Sequence, residues 1–528
     1  MRSIAEKKDA PCPAEARGMR SHSSANIINL NAKDFAGRRP AAAARTGIAI
    51  RHYDDEHEYA LLKAAARIPS AKDAAETGES KDHLQSDLHS IRTSAIFSTP
   101  RLPADFAGLN SPALPPADCS IAAGPSHLVT ITSTAWAVFD KAGNQLLLVD
   151  LAAWFSDSAP DVIIFNPRVI YDQFSGRWMI IACGRSADGK SSCFLISVSQ
   201  TRNPLGMWGN RALDAGLNGK EATGNLADSL GVGLDNAAVY LTANMFDESG
   251  SFQYAKLRIL NKSALLAGEK LQWWDHWDLR NPDGSVVFGL QAAHTFGTPG
   301  VQYLVNATGD GQSLTKWDLI HPLTDRPQLT RRVIPTVGYQ LAPNARQQGT
   351  STEIETGDTR LVNVVFRNGL LWTAHTVAAN WGEAENVSAI QWFQINTGAG
   401  VISQQHIYGH PSSYYFCPTL MVDGQGNLIM VFNRVSETEY PSLRFTGRLS
   451  TDTPGTLHSS ALLKESFVPG QATWGSYNGA AVDTNDTKIW VVGQYPAAES
   501  ERGTWIGETS YIASSAEGNP AIKKPAFV

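Results

Sequence analysis

The sequence is poor in charged residues and in cysteine. Charged residues make up 18% of its 528 residues, below the ~25% typical of soluble domains. The net charge is −6 and no basic run carries interleaved aromatic residues, which excludes nucleic acid as the main partner. The five cysteines are scattered and none lies in a C-x-x-C pair. This argues against a disulfide framework and against a structural zinc site.

Long apolar runs and several common motifs are also missing. No stretch approaches the ~18 apolar residues of a membrane span, and the N-terminus has no apolar region typical of a signal peptide. The sequence therefore favours a soluble chain, with the cytoplasm preferred, and leaves the oligomeric state open. It contains no G-x-S-x-G elbow, P-loop or dinucleotide fingerprint. No cofactor is required by these patterns, although a loop carboxylate could bind calcium.

The first 95 residues differ in composition from the rest. They are rich in Ala, Lys, Asp, Glu, Ser and Arg and poor in aromatic residues, and only EYALLKAAARI, over 58–68, looks helical. Such a segment buries too little apolar surface to offset its ordering entropy. The composition predicts a flexible N-terminal tail over 1–95 with at most one docked helix, a folded region over 96–515 and a short C-terminal tail over 516–528.

An internal repeat begins near residue 100. Each copy is an apolar run, a turn rich in Gly, Asp or Asn, and a second apolar or aromatic run. There are seven copies, among them PRVIYDQFSGRWMIIA and SLGVGLDNAAVYLTAN. In copies two to seven, the residues that open the second run are spaced by 57 to 69 positions. They are Trp178, Tyr240, Tyr303, Trp372, Ile429 and Trp490.

This repeat predicts an all-β fold, a seven-bladed β-propeller. A four-stranded blade needs about 40 residues, and the excess length is assigned to loops. Each copy is followed by strand-like runs such as CFLISVSQT and YAKLRILNKS, which supply the third and fourth strands. Two stacked β-sandwiches are the alternative, but they do not explain a period that is sustained seven times.

Several segments carry a family resemblance. NPRVIYDQFSGRWMI, DSLGVGLDNAAVYLTAN, GDTRLVNVVFRNGLLWTAHTV and WGSYNGAAVDTND resemble a little-characterised group of bacterial β-propeller proteins, mostly secreted and often labelled sialidase-like or hypothetical. The resemblance covers about residues 105–512 and implies a propeller without implying a reaction. Members of that group carry an acidic residue where this chain has Asn166 or Ser476. A role for those two carboxylates in metal binding or proton transfer is therefore not expected here, and no metal site is predicted.

The loops that enter the innermost strands of a propeller converge at one end of its channel, so a ligand site is expected there. We assign substrate binding to residues of this region, with the arginine forks suited to a carboxylate. They are Arg168, Arg360, Asn166, Tyr415 and Trp474. We assign proton transfer to a histidine, an acid and a phenol. They are His294, Asp228 and Tyr477.

The hypothesis is a hydrolase or lyase that acts on an acidic carbohydrate or a similar polar small molecule. One alternative is a non-catalytic scaffold that binds a glycan or a protein, for which the aromatic segments WWDHWD (273–278) and HIYGHPSSYY (406–415) would be docking surfaces. Another is a biosynthetic enzyme for a small metabolite. Because fold alone does not determine function, the residues at the channel mouth must decide between them.

Overall fold

A computed structural model describes most of the chain. The described residues are 12–13, 17–22, 27–36, 56–69, 99–112, 118–475 and 477–511. They form mostly strands with few helices, which confirms the all-β class. The helices are α1 (Glu56–Ala65), α2 (Leu151–Phe155), α3 (Lys262–Ala267) and a short 3-10 helix (Ala32–Phe35). Helix α1 confirms the helix predicted over 58–68.

The strands group into antiparallel units of four along the chain. Four strands precede the first complete unit: β1 (Cys12–Pro13), β2 (Arg17–His22), β3 (Ile28–Asn31) and β4 (Arg101–Pro112). The first unit is β5 (Ser120–Ala123), β6 (His127–Ile131), β7 (Ala135–Asp140) and β8 (Gln145–Asp150). The second unit is β9 (Val162–Asp172), β10 (Arg177–Ser186), β11 (Ser192–Ser199) and β12 (Met207–Asp214).

The middle of the chain continues this pattern, with two short hairpins between units. The hairpins are β13 (Leu217–Asn218) with β14 (Glu221–Ala222), and β23 (Ala345–Gln347) with β24 (Thr350–Ile354). The third unit is β15 (Leu226–Leu234), β16 (Ala238–Phe246), β17 (Phe252–Asn261) and β18 (Gln272–Trp277). The fourth unit is β19 (Gln291–Thr295), β20 (Gln302–Ala307), β21 (Ser313–Ile320) and β22 (Gln328–Pro335).

The last units complete the series. The fifth is β25 (Val364–Arg367), β26 (Leu370–Ala379), β27 (Val387–Asn396) and β28 (Val401–Tyr408). The sixth is β29 (Tyr414–Val422), β30 (Leu428–Ser436), β31 (Glu439–Arg448) and β32 (Ala461–Lys464). The seventh is β33 (Gly479–Val482), β34 (Lys488–Ala498) and β35 (Glu501–Ser510), and β4 supplies its fourth strand.

Aspartates explain why the chain turns between the first and second strands of several units. Asp172 accepts a hydrogen bond from the backbone N–H two residues later, at 3.1 Å, and Asp235 and Asp423 do the same at 2.7 and 2.9 Å. Such a side-chain contact mimics a backbone turn. In the second unit Gly176 completes the turn with a φ of 70°, a conformation that favours glycine. The repeated Asp and Gly in the sequence are therefore hairpin residues.

The first strands of the units surround a common axis. Each contacts the first strand of the next unit, and β33 of the seventh unit contacts β5 of the first. Strand β19 pairs in parallel with both β15 and β25. The six residues that the repeat placed at the start of each second run all lie in the second strand of a unit. This is the arrangement of a β-propeller, with the first strands innermost.

Part of the N-terminal 95 residues pairs with the outside of this ring. Strand β3 adds to β12 of the second unit, β2 to β18 of the third and β1 to β22 of the fourth. The sequence did not predict these strands. Residues 1–11, 37–55 and 70–98 of the expected flexible tail, and residues 516–528 of the expected C-terminal tail, lie outside the described residues.

The segment WWDHWD lies inside the fold. Trp273 and Trp277 are buried, and strand β2 covers their strand β18. Asp275 forms an ion pair with Arg258 at 2.7 Å, and both side chains are fully buried. This placement leaves the segment unsuitable as a docking surface, because its side chains are already used in packing.

Candidate functional site

A cavity of about 420 Å³ runs along the axis of the ring. All seven innermost strands contribute to its wall, so it is assembled from residues far apart in sequence. The strand residues that line it include Ser120, Arg168, Val232, His294, Val364, Thr419 and Ala480. Tyr477, just before β33, also lines it.

Arg168 and Tyr477 are in direct contact in the cavity wall. The guanidinium carbon of Arg168 lies 3.5 Å from the centre of the Tyr477 ring, a cation–π geometry. The Nη1 of Arg168 donates to the carbonyl of Pro167 at 3.2 Å, whereas its buried Nη2 has no hydrogen-bond partner among the described residues. Burial raises the pKa of Tyr477, so this phenol is neutral at ordinary pH. The pair thus offers a positive charge with a free N–H.

Polar residues with unusual backbone conformations lie beside this pair. Asp118, Asn166, Ser229 and Cys417 have φ between 43° and 56°, in the left-handed region that residues other than glycine seldom adopt. The Nδ2 of Asn166 donates to Asp118 at 3.2 Å, and its Oδ1 accepts from the N–H of Ser229 at 2.9 Å. Such conformations cluster where neighbouring structure holds a functional geometry. Asn166, a predicted binding residue, therefore links three units.

Asp228 is buried next to these residues, with 6% of its surface exposed. Burial raises the pKa of its carboxyl to about 6, and the charges of Arg185 and Arg360 oppose that rise. It also accepts a hydrogen bond from the backbone N–H of Ser229. A carboxyl with a pKa near neutrality can both donate and accept a proton, which suits general acid–base chemistry.

Arg360 is held by neighbouring side chains. Its Nε and Nη2 donate to the two oxygens of Asp358 at 2.7 and 2.5 Å, and its Nη1 donates to the Oγ of Ser229 at 2.6 Å. Burial lowers the pKa of Arg360, but Asp358 outweighs that effect and raises it above the ordinary value. Its fork already holds the carboxylate of Asp358, and its bond to Ser229 ties the start of the fifth unit to the third. This differs from the binding of a ligand anion that the sequence predicted.

His294 lies toward the other end of the channel, away from Asp228. It is level with Leu234, the last residue of β15, whereas Asp228 is near the start of that strand. At ~3.3 Å per residue the separation is on the order of 15–20 Å. His294 contacts Gln173 at 3.2 Å through Nε2 and stacks on Phe296. Burial lowers its pKa to about 4, so it is neutral at physiological pH.

The structure therefore does not bring His294 together with Asp228 and Tyr477. Of the predicted site residues, only Arg168, His294 and Tyr477 line the cavity, whereas Asp228 and four predicted binding residues, Asn166, Arg360, Tyr415 and Trp474, do not. Tyr415 stacks on Phe432 with ring centres 5.2 Å apart. Trp474 packs edge-on against Phe416 at 5.8 Å. Both belong to hydrophobic clusters of the sixth and seventh units.

Helix α1 docks at the same end of the ring as Asp228. Lys63 is 2% exposed, and its Nζ donates to the Oγ1 of Thr356 at 2.8 Å and to the carbonyl of Gly357 at 2.7 Å. Arg67, just after the helix, donates to the hydroxyl of Tyr414 at 2.8 Å. Thr356 leads directly to Asp358 and Arg360, so α1 covers part of this mouth.

Sequence reasoning missed Arg185, which lies at the end of β10 and is 9% exposed. Its Nε and Nη2 have no partner among the described residues. No repeat position or motif marks it in the sequence.

The described residues contain no group of three or more His, Cys, Asp and Glu able to hold a metal ion. In the same residues we find no helix with the length and apolarity needed to cross a bilayer.

Comparisons with known proteins give fold-level similarities only. No protein-family model matches the chain, and no curated protein matches it. A Trypanosoma rangeli sialidase solved with sialic acid aligns with 74% of this chain and 60% of its own, at 9% identity and a TM-score of 0.36. The Dos1 propeller aligns with 74% of this chain and 77% of its own, at 10% identity and a TM-score of 0.35. A thermostable family-43 glycoside hydrolase aligns with 70% of this chain and 97% of its own, at 13% identity and a TM-score of 0.30. Such values identify neither a family nor an activity.

Proposed function

We propose that the chain is a seven-bladed β-propeller, spanning about residues 96–515, that binds an acidic carbohydrate or a similar anionic polar molecule in its central cavity. It acts on this ligand as a hydrolase or lyase. Seven four-stranded units whose innermost strands contact one another in a ring support the blade count. Arg168 supports the charge of the ligand, because its buried Nη2 at the cavity wall lacks a partner.

The residues around Arg168 suit a sugar acid. Tyr477 offers an aromatic face, and apolar C–H surfaces of a sugar ring pack on such faces. Asp228 is the proposed proton donor or acceptor, since its pKa of about 6 lets it exchange a proton near neutral pH. Because its carboxyl is buried, this role requires the ligand or a water to reach it. His294 is not part of this proposal, because it lies at the other end of the cavity.

The test is to incubate the protein with uronate-containing and sialylated oligosaccharides and their neutral counterparts. New reducing ends report hydrolysis, and absorbance of unsaturated uronates reports elimination. We expect activity on acidic substrates only, and a loss of roughly 10- to 100-fold in affinity for Arg168→Ala, the range for hydrogen bonds to charged groups. Arg332→Ala, an arginine in the outer strand β22, is the matched control and keeps full activity. Equal activity on neutral sugars would contradict the proposal.

A non-catalytic binding propeller is the second candidate. The observation in its favour is that His294 lies apart from Asp228, so this histidine cannot share proton transfer with that carboxyl. Binding measurements separate the two candidates. If Asp228→Asn binds acidic sugars at least as tightly as the unmodified protein and neither form releases a product, the binding function replaces the catalytic one.

A further inference from the structure

The guanidinium of Arg185 has one edge without partners. The edge formed by Nε and Nη2 presents two parallel N–H groups, the geometry that binds both oxygens of a carboxylate. In Arg185 both atoms are buried and neither has a hydrogen-bond partner. Among the buried atoms of the described residues, no other arginine lacks partners at both of these positions. A buried donor without a partner is costly, so this edge requires an explanation.

Other enclosed arginines of this chain show what the same edge binds. In each of three cases Nε and Nη2 donate to the two oxygens of one carboxylate. The pairs are Arg258 with Asp275 at 2.7 and 2.8 Å, Arg360 with Asp358 at 2.7 and 2.5 Å, and Arg434 with Glu439 at 2.8 and 2.9 Å. In Arg185 the described residues supply no carboxylate at this edge, and neither of its two nitrogen atoms has another partner.

Additional donors lie on the neighbouring unit. Asn244 is directly opposite Asp228 in the pairing of β15 and β16, and its buried Nδ2 has no partner. Its Oδ1 is already used by the N–H of Gly289, at 3.0 Å. Thr242, two residues earlier on the same face of β16, has a buried hydroxyl without a partner. Arg185 is the charged group that most lowers the pKa of Asp228, yet no ion pair joins them in the described structure.

We infer that Arg185 and Asn244 form a binding site for a carboxylate group of a small ligand, between the second and third units and beside Asp228. This inference rests on the proposed function and names the anionic group of its ligand. A carboxylate carries one charge and two coplanar oxygens, which match the two N–H groups of the fork. A phosphate carries up to two charges near pH 7, so Asp228 would repel it more strongly.

The probe is glucuronate, with glucose as its neutral counterpart and inorganic phosphate as the competing anion. Binding is measured by calorimetry at pH 6 and constant ionic strength. We expect glucuronate to bind, glucose to bind more weakly, and phosphate to bind more weakly than glucuronate. Arg185→Lys keeps the charge but loses the two-point geometry, and it should weaken glucuronate binding roughly 10- to 100-fold. Arg211→Lys replaces another buried arginine and should leave the affinity unchanged.

A second variant guards against loss of folding. Asp228→Asn removes the neighbouring negative charge and should tighten glucuronate binding. The inference is overturned if Arg185→Lys leaves the affinity unchanged, if Arg211→Lys lowers it equally, if Asp228→Asn weakens it, or if phosphate binds as tightly as glucuronate.

Failure of the proposed function is distinguishable from failure of this inference. If glucuronate binds through Arg185 but no acidic glycan is bound or cleaved, the carboxylate site stands and the proposed function fails. If Arg168→Ala abolishes activity while Arg185→Lys keeps glucuronate binding, the proposed function stands and the carboxylate site at Arg185 fails.

Discussion

Asp228→Asn should change the pH dependence of stability in a specific way. The pKa of Asp228 is about 6 in the folded protein against 3.8 for the free side chain, because burial disfavours the charged form. A difference of one in pKa corresponds to about 1.4 kcal/mol, so ionising this carboxyl in the folded state costs about 3 kcal/mol. Because the folded state holds the proton more tightly, this penalty is absent below pH 4 and complete above pH 6.

Asp228→Asn should therefore become increasingly more stable than the unmodified protein as the pH rises. The difference between Asp228→Asn and the unmodified protein should grow by about 3 kcal/mol from pH 4 to pH 7, because only the variant escapes ionisation. Urea unfolding at both pH values and at two points between them measures it. Asp235→Asn is the control: Asp235 is equally buried but accepts hydrogen bonds from two backbone N–H groups and from Tyr240. A pH-independent difference for Asp228→Asn, or one that shrinks as pH rises, would refute the assignment.

Three further variants test the packing around the site. Lys63→Ala should expose α1 to faster limited proteolysis, because it removes two buried hydrogen bonds; an unchanged cleavage rate would show that the helix is held by other contacts. Arg258→Met should lower the free energy of unfolding by about 3–5 kcal/mol, since it leaves a buried carboxylate unpaired; a neutral result in urea unfolding would contradict this. Gly124→Ala should destabilise by ~1–3 kcal/mol, because its new Cβ would lie 2.4 Å from the ring of Trp178, whereas Gly309→Ala meets open space and should be tolerated. Equal melting temperatures for the two glycine variants would count against the packing argument.

The repeat carried most of the fold information in the sequence. Turn aspartates such as Asp172 and Asp235, with an aromatic residue shortly after, mark the hairpin between the first two strands, and both features act locally. Strands β1, β2 and β3 could not be predicted, because they lack apolar alternation and exist only by pairing with edges already formed. Their stability comes from tertiary contact.

The candidate site was predicted less completely. Arg168 and Tyr477 lie together as expected, but His294 was assigned to the wrong end because Gln291, not His294, begins its short strand. Arg360 carries a readable signal: an aspartate accepts hydrogen bonds from the backbone two residues later, and this local turn brings the carboxylate of Asp358 to the fork of Arg360. The open edge of Arg185 depends on which partners surround it, and no local pattern encodes that.

The pairing of β4 with β35 has a consequence for the order of assembly. Ala107 lies opposite Trp505, so the first long strand of the ring waits for residues nearly 400 positions later before its unit is complete. Six units can form from contiguous chain as it leaves the ribosome, whereas the seventh needs the C-terminal strand. Until then β4 presents unpaired N–H and C=O groups, the kind of edge that recruits other chains. A chain that stops short of β35 would therefore keep most of its sheets and still be prone to aggregate through the unpaired edge of β4.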